Sequence, residues 1–471
     1  MEDRDNTTET DLVVIGAGPG GYTAAIRGAQ KGLDVVLVEK ETVGGVCLNH
    51  GCIPAKALIH AAGFQRDIAH WNEIGIETGD VSVDFQAVQE WKRDVVRTLD
   101  DRVLDSLNRH GVTYVEGTAR FEDSTTVSVD TGETAERFAC DHTIVATGST
   151  PIELPGLAFH RAGVISSRDV LQIDEVPDEL VVVGGGYIGM EAVTKFSKFG
   201  SLIKIVEARD RVLGMFEREV VDSIQETSEM YSDHIYTSTL ATGVEYDDDG
   251  KPVLLAERDG EELRLSGDYI IVAAGREAES ALDTLELDNT DVELTERRFV
   301  ETDDQMRTTD EDVFCIGDAA GQPHLAHLAY REGKVAAAVA AGEDKSFDNE
   351  YLPAVMYTDP EVAVVGLNET DAREQYDELK IGRVALSASG RALTANKPAG
   401  YVKLIADADG KLLGGQIVGA RASDSIAEVT LALEMDAHLE DITNTIHAHP
   451  TFPEAVAEAA AAADGESIHS Q

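Results

Sequence analysis

Cysteine, basic side chains and long apolar runs are all scarce in this chain. Its 471 residues include four cysteines, and 39 lysines and arginines face 88 aspartates and glutamates. Four thiols are too few for the disulfide framework of a small secreted protein, and no apolar stretch approaches the length of a membrane span. Residues 1–6 lack the apolar core of a secretory signal. These absences predict a cytoplasmic protein that does not enter a membrane.

The shortage of basic residues leaves a formal net charge of −49, with 14 lysines against 25 arginines. Such a surface repels nucleic acids and anionic membranes, so neither is expected as a partner. It also repels itself unless salt screens the carboxylates. The composition therefore favours the cytoplasm of a salt-accumulating halophile, and an acidic enzyme of ordinary cytosol is the alternative.

Two of the four cysteines, Cys47 and Cys52, are five positions apart, which suggests a redox disulfide. A regular helix would hold them too far apart to bridge, so the helix start must be distorted, and Gly51 allows this. A dithiol beside a helix N-terminus has its thiolate stabilised. The alternatives are a chance pair of buried thiols, or two metal ligands with His50 as a third. The remaining cysteines are predicted to be core residues of apolar strands: Cys140 and Cys315.

A glycine-rich loop follows an apolar strand predicted over residues 11–15. Gly16, Gly18 and Gly21 form a GxGxxG pattern that leads into an Ala-rich helix, and the next strand ends at Glu39. Such glycines allow a tight turn and a close approach of the backbone to a pyrophosphate, and the acidic residue is placed for ribose hydroxyls. This unit predicts a dinucleotide site.

The same unit recurs later in the chain. Gly184, Gly186 and Gly189 repeat the pattern, and the following strand ends at Glu207. Gly16 to Gly184 and Glu39 to Glu207 are both offsets of 168 residues. A single GxGxxG pattern is weak evidence for a dinucleotide site. Two complete units with the same internal spacing predict an α/β chain with two Rossmann-like domains that binds two dinucleotides.

The position of the dithiol, just after Glu39, suggests that the first dinucleotide is FAD. Gly317 and Asp318 end a later short strand, where the carboxylate is available to a ribityl hydroxyl, although Asp318 could equally be an ordinary helix N-cap. Residues 144–148 and 271–275 are predicted strand exits that return the chain from one domain to the other.

These motifs resemble those of the flavin disulfide oxidoreductases, the family that includes dihydrolipoamide dehydrogenase, glutathione reductase and mercuric reductase. The resemblance runs from about residue 10 to about residue 463. Residues 47–56, 357–362 and 447–455 look most like those of dihydrolipoamide dehydrogenases. Val46 and Asp359 depart from the usual Thr and His, which weakens the choice among substrates without removing a reactive group.

The resemblance implies a role for each motif. Cys47 would exchange with the substrate and Cys52 would contact the flavin, Lys56 would pair with Glu191, and Tyr187 would gate the nicotinamide pocket. The implied FAD residues are Gly16, Gly18, Gly21, Glu39, Lys56, Thr147, Gly148, Gly317, Asp318 and Ala326. The implied NAD residues are Gly184, Gly186, Tyr187, Gly189, Glu191, Glu207 and Gly275.

A base is also required, because a dithiol loses its protons as it reduces a disulfide. His449 is the best candidate, since Glu454 could hold its ring in one tautomer and stabilise its cation. The resemblance implies that the other subunit supplies this pair. A solvated histidine before a surface helix is the alternative, and His447 is expected to be structural.

The sequence thus predicts oxidation of dihydrolipoamide with FAD and NAD by a homodimer, working with free dihydrolipoamide or with a lipoyl-bearing acyltransferase of a 2-oxoacid dehydrogenase complex. The alternatives are an NADPH-dependent reductase of a small disulfide such as glutathione, and a flavin-binding scaffold without thiol turnover. The predicted domains are an FAD domain (1–150), an NAD domain (151–276), a central domain (277–347) and a C-terminal α+β dimerisation domain (348–471).

Overall fold

The computed structural model describes residues 7–227 and 234–469. Residues 1–6, on which the expectation of no secretory signal rests, lie outside the described residues. Within the described ranges, no helix is long and apolar enough to cross a membrane. The boundaries proposed at residues 150, 276 and 347 stay predictions.

The first dinucleotide unit is built on a largely parallel sheet. Its strands are β1 (Thr7–Ile15), β2 (Val35–Glu39), β3 (Thr113–Glu116), β4 (Thr118–Asp123), β5 (Thr126–Asp130) and β6 (Ala135–Val145), and its helices are α1 (Pro19–Gln30), α2 (Gly45–His50), α3 (Cys52–Ala69) and α4 (Phe85–His110). β1 lies between β2 and β6, parallel to both, and β4 and β5 continue the sheet as an antiparallel meander. β1 begins four residues before the predicted strand because its first residues pair with β6.

The second unit repeats this plan. Its strands are β7 (Thr150–Pro151), β8 (Val164–Ser166), β9 (Glu179–Val183), β10 (Leu202–Val206), β11 (Ile235–Tyr236), β12 (Thr239–Tyr246), β13 (Pro252–Arg258), β14 (Glu261–Ser266), β15 (Tyr269–Val272) and β16 (Arg276–Glu277), and its helices are α5 (Tyr187–Phe199), α6 (Arg218–Thr227) and α7 (Glu279–Leu282). The parallel order β11-β10-β9-β15-β8 carries the glycine loop after β9, and β12 to β14 form an antiparallel sheet.

The chain then returns to the first sheet. β17 (Val313–Cys315) pairs with β6 in parallel, and α8 (Ala326–Ala340) follows it. The order β3-β2-β1-β6-β17 thus matches the five parallel strands of the second unit. Cys140 on β6 and Cys315 on β17 are buried, which confirms their prediction as core residues.

The C-terminal part is an antiparallel sheet covered by helices. Its strands are β18 (Ala354–Met356), β19 (Val362–Gly366), β20 (Leu379–Ala385), β21 (Gly400–Asp407) and β22 (Leu412–Gly419), and its helices are α9 (Glu369–Gln375), α10 (Gly390–Thr394), α11 (Ala422–Glu434), α12 (Leu439–Asn444) and α13 (Glu454–Ala463). β21 and β22 pair antiparallel. α11 begins at Ala422, directly after Arg421, which has a left-handed φ of 62°. The predicted α/β fold class, with a C-terminal α+β part, is confirmed.

Candidate active site

The two glycine-rich loops have the same backbone geometry. Gly16 has φ of +102° and Gly184 has φ of +104°, and a Cβ on either would lie 2.4 Å from the carbonyl oxygen of Ala146 or Ala273. A positive φ together with such a close approach admits only glycine. The middle glycines differ, since a Cβ on Gly18 would meet nothing within 4 Å and one on Gly186 only Met215 Cε at 3.9 Å. That open space allows a ligand to approach the backbone.

The third glycine of each loop lies behind the turn. A Cβ on Gly21 would lie 1.8 Å from the oxygen of Gly16, and one on Gly189 would lie 2.0 Å from the oxygen of Gly184. These glycines therefore allow the helix to pack against the strand, while the first and second glycines line the cavity.

The acidic residue at the end of each second strand holds its own loop. Glu39 Oε2 accepts from the backbone N–H of Ala17 at 2.7 Å, and Glu207 Oε2 accepts from that of Gly185 at 2.7 Å. The other oxygen of Glu207 accepts from the N–H of Arg209 at 2.8 Å. Both carboxylates face the cavity, so a ribose would meet a carboxylate already fixed by the backbone. This second role was not predicted from the sequence.

One cavity of about 1640 Å³ joins both loops to the cysteine pair. Single ligand sites typically measure about 300–1,000 Å³, so this volume suits two extended cofactors. Thr147 Oγ1 is buried beside it without a hydrogen-bond partner. The cavity, the open middle glycines and this unpaired hydroxyl fit FAD on the first unit and NAD on the second.

The segments that leave the strands at Gly148 and Gly275 meet beside Asp318 in the cavity. Ser149, directly after Gly148, donates to Asp318 Oδ2 at 2.5 Å and accepts from Arg276 Nε at 2.8 Å. Asp318 does not cap α8, which begins after Leu325. Asp318 lines the cavity with one carboxylate oxygen bonded to Ser149, which is compatible with the ribityl interpretation.

The cysteine pair lies where one helix ends and the next begins. α2 ends at His50, Gly51 takes φ of −144° and ψ of −109°, and α3 begins at Cys52. The predicted distortion between the cysteines is thus present. Both residues are free thiols that hydrogen-bond to each other, and Cys52 is exposed to the cavity.

The two thiols are electrostatically unequal. The hydrogen bond from Cys47 lowers the pKa of Cys52 to about 7, helped by the charge of Lys56 and opposed by burial. The same hydrogen bond and burial raise the pKa of Cys47. The charge of Lys56 favours the ionised form at Cys52, which makes Cys52 the more acidic sulfur of the pair.

Lys56 and Glu191 form a close ion pair across α3 and α5. Lys56 Nζ donates to the two carboxylate oxygens of Glu191 at 2.9 and 2.8 Å, and Glu191 also accepts from the N–H of Tyr357 at 3.1 Å. Burial alone would lower the pKa of Lys56, but the charges of Glu191 and Cys52 outweigh it and raise that pKa. Lys56 thus stays charged beside the cysteine pair.

His449 and Glu454 form the predicted hydrogen-bonded pair. His449 Nδ1 lies 2.8 Å from Glu454 Oε1, and Glu454 Oε2 accepts from the N–H of Thr451 at 2.6 Å. Burial works to raise the pKa of Glu454, but these two hydrogen bonds lower it overall. His447 is bonded on both ring nitrogens, to Glu428 and to the Thr445 carbonyl.

The chain does not bring this pair to the cysteines. The His449 side chain is 80% exposed, and neither His449 nor Glu454 lines the cavity. The other predicted site residues line the cavity except Gly21 and Gly189. Within residues 7–227 and 234–469, no group of three or more His, Cys, Asp or Glu is arranged to hold a metal, the His50 alternative included.

Sequence reasoning missed several residues that line the cavity. Ser149 and Arg276 are hydrogen-bonded to each other and so join the two strand exits. In the sequence, they could have been found only because they directly follow Gly148 and Gly275. Lys195 lines the cavity from α5 and is 3% exposed. In the sequence, the feature that pointed to Lys195 was its position four residues after Glu191 on a predicted helix.

Comparisons with known proteins agree with this geometry. Residues 10–333 match the family described as pyridine nucleotide-disulphide oxidoreductase, and residues 352–460 match its dimerisation domain. Relatives named dihydrolipoyl dehydrogenase 2 from Haloarcula marismortui and dihydrolipoyl dehydrogenase from Haloferax volcanii and Geobacillus stearothermophilus are 46%, 44% and 42% identical. Each comparison covers 99% of this chain and at least 98% of the relative.

Solved structures with lower identity share the fold. LpdA from Mycobacterium tuberculosis has a TM-score of 0.89 at 22% identity over 96% of this chain and 99% of its own. The flavoprotein disulfide reductase RclA from Escherichia coli has a TM-score of 0.86 at 24% identity over 97% of this chain and 99% of its own. The chain therefore belongs to the pyridine nucleotide-disulphide oxidoreductases, within the dihydrolipoyl dehydrogenase family.

Proposed function

We propose that this chain oxidises dihydrolipoyl groups through a Cys47–Cys52 disulfide and delivers the electrons to NAD through FAD. The observation that carries the proposal is the Cys47–Cys52 pair beside the Lys56–Glu191 ion pair, in the cavity that joins both glycine loops. FAD, when bound, would take two electrons from the thiol pair and pass a hydride to NAD.

The thiol chemistry follows from the residues present. A substrate thiolate attacks Cys47 Sγ, a mixed disulfide forms, and the Cys47–Cys52 bond breaks with Cys52 leaving as the thiolate. The second substrate thiol then attacks the substrate sulfur of the mixed disulfide, which closes the lipoyl disulfide and releases Cys47. The substrate is oxidised by two electrons, the enzyme disulfide is reduced, and His449 accepts a thiol proton. Since Cys52 has the lower pKa, it is the better leaving group.

The complete site requires a second copy of the chain. His449 and Glu454 lie outside the cavity, and the match to a dimerisation domain supports a homodimer in which the partner supplies them. The physiological substrate would be free dihydrolipoamide or a lipoyl-bearing acyltransferase of a 2-oxoacid dehydrogenase complex. The charge of −49 and the haloarchaeal relatives support work in a salt-rich cytoplasm.

Glu207 favours NAD over NADP, because its fixed carboxylate would repel a 2′-phosphate. Arg209 also lines this part of the cavity and favours the NADPH-dependent alternative. A higher kcat/KM with NADP than with NAD would overturn the coenzyme assignment.

The proposal is tested by comparing two reactions in molar salt. Dihydrolipoamide with NAD should turn over, whereas glutathione disulfide with NADPH should not. Cys47→Ser is the control, since any turnover that survives it does not use the disulfide. Turnover of glutathione disulfide with NADPH in place of the first reaction would support the reductase alternative. Bound flavin with turnover in neither reaction would support a scaffold.

A further inference from the structure

The Lys56–Glu191 ion pair is contacted by a residue from the C-terminal part of the chain. Tyr357 directly follows β18, in the connection to β19, and lines the cavity. Its ring centroid lies 4.7 Å from Lys56 Nζ, and its backbone N–H donates to Glu191 Oε1 at 3.1 Å. A cation within about 6 Å of a ring centroid is attracted by the face of the ring. Tyr357 therefore contacts both members of the ion pair, which come from two different helices.

The segment that carries Tyr357 is fixed by its own contacts. Thr358 is buried, and its hydroxyl donates to the carbonyl of Pro360 at 2.7 Å. Asp359 pairs with Lys198 of α5 at 2.7 Å. These contacts tie the segment to the same helix that carries the carboxylate of the ion pair, so the ring is held in place relative to that helix.

The two members of the ion pair act on Cys52 in opposite directions. The hydrogen bond from Cys47 and the charge of Lys56 lower the pKa of Cys52. Burial and the charge of Glu191 oppose them. The balance depends on how close each charge lies to the sulfur, because the Coulomb energy falls with distance. Further titratable groups that interact with Cys52 come from α5, β16 and α8: Tyr187, Arg276 and Tyr330.

We propose that Tyr357 is a positioning residue that fixes Lys56 beside Cys52 with its ring and fixes Glu191 with its backbone N–H. The inference rests on the redox role of Cys52 proposed above. Without the ring, Lys56 keeps its bonds to Glu191 but loses the contact that holds its ammonium from the other side, and its attraction for a negative charge on Cys52 weakens. The C-terminal part of the chain thereby sets the balance of charge at the cysteine pair.

The substitution Tyr357→Leu removes the ring and keeps the backbone N–H. In a flavin-loaded Cys47→Ser background, which leaves Cys52 as the one thiol of the pair, alkylation of Cys52 by iodoacetamide is followed against pH by mass spectrometry. The midpoint should rise by about half a pH unit, which corresponds to the strength of one cation–ring contact. Tyr357→Met should give the same rise, and Tyr357→Phe, which keeps the ring, should leave the midpoint unchanged.

Tyr401 is the matched control in the C-terminal part of the chain. Its ring centroid lies 4.4 Å from the guanidinium carbon of Arg383, and its side chain is buried and does not line the cavity. Tyr401→Leu, in the same background, should lower Tm because a large buried side chain is truncated. It should leave the Cys52 midpoint unchanged.

An unchanged midpoint in both Tyr357→Leu and Tyr357→Met would overturn the proposal. An equal rise in Tyr357→Phe would also overturn it, because the effect would then belong to the hydroxyl, and an equal rise in Tyr401→Leu would assign the effect to lost packing. The proposed function fails separately. If dihydrolipoamide does not reduce the unmodified protein, that function is contradicted, whereas the midpoints are measured in protein that forms no Cys47–Cys52 disulfide and do not depend on that reaction.

Discussion

The two halves of the proposed site differ in how far one chain completes them. The thiol half, formed by Cys47, Cys52, Lys56 and Glu191, is enclosed in the cavity and has its charges paired. The base half, formed by His449 and Glu454, has an ordered hydrogen bond but a histidine that is 80% exposed.

In the proposed dimer, this difference corresponds to separate contributions from the two copies of the chain. Electron transfer needs a dry, preorganised site, which the thiol half provides within one chain. Thiol exchange also needs a base, and an ordered histidine on an open face can serve a partner's cavity. Changes to the thiol half should therefore act within one chain, and changes to the base half should act only through the dimer.

The largest effect is expected from Cys52→Ser, which removes the leaving thiolate. Without the second sulfur no disulfide forms, so dihydrolipoamide turnover should be abolished, along with the thiolate-to-flavin charge-transfer absorbance. NADH reduction of an artificial acceptor should continue, because it does not use the thiols. Cys140→Ser, at a buried cysteine outside the cavity, is the control and should keep turnover.

His449→Gln should slow reduction of the disulfide by dihydrolipoamide by roughly 10²-fold or more, because general-base assistance is lost. Stopped-flow traces measure this half-reaction separately from NADH oxidation, which should stay near its original rate. His447→Gln controls for disturbance of the same loop. Equal slowing of both half-reactions would mean that His449 supports the fold or the dimer and is not the base.

The thiol half should show its own pH dependence. Because the pKa of Cys52 is lowered to about 7, its thiolate is present above that pH and is lost as the pH falls. Alkylation of Cys52 in the reduced protein should slow about tenfold between pH 8 and pH 6. A midpoint near the usual thiol value, in wild-type protein, would contradict the assignment of Cys52 as the thiolate.

Removal of salt should affect the base half first. With a net charge of −49, dilution from 1 M to about 0.01 M salt lengthens screening from about 3 Å to about 30 Å, so repulsion acts across a dimer interface. Dihydrolipoamide turnover should fall severalfold before NADH reduction of an artificial acceptor does, and Tm should fall. A Tm that does not change as salt is removed would contradict the halophilic interpretation.

Sequence patterns predicted those features of the fold and the site that depend on residues close together in the chain. Gly16 and Gly184 could be assigned because a positive φ and a close carbonyl leave no other residue possible. The break between α2 and α3 followed from the spacing of Cys47 and Cys52. Both features depend only on residues that are close in the chain.

Features that depend on distant residues were missed. The bond from Ser149 to Asp318 joins residues 169 positions apart, and the burial of Lys195 depends on how α3 and α4 pack against α5. The proposed placement of His449 beside the cysteine pair of a second copy involves two chains, so the geometry of one chain does not contain it.

The most direct test of this account is a mixed dimer of two inactive variants. Cys47→Ser carries an intact His449, and His449→Gln carries an intact cysteine pair. If the base acts across the dimer, the mixed dimer has one complete site and should recover about half of the wild-type dihydrolipoamide turnover, because one of its two sites is intact. If His449 acts within its own chain, neither site is complete. Turnover that stays at the level of the parent variants would contradict the account.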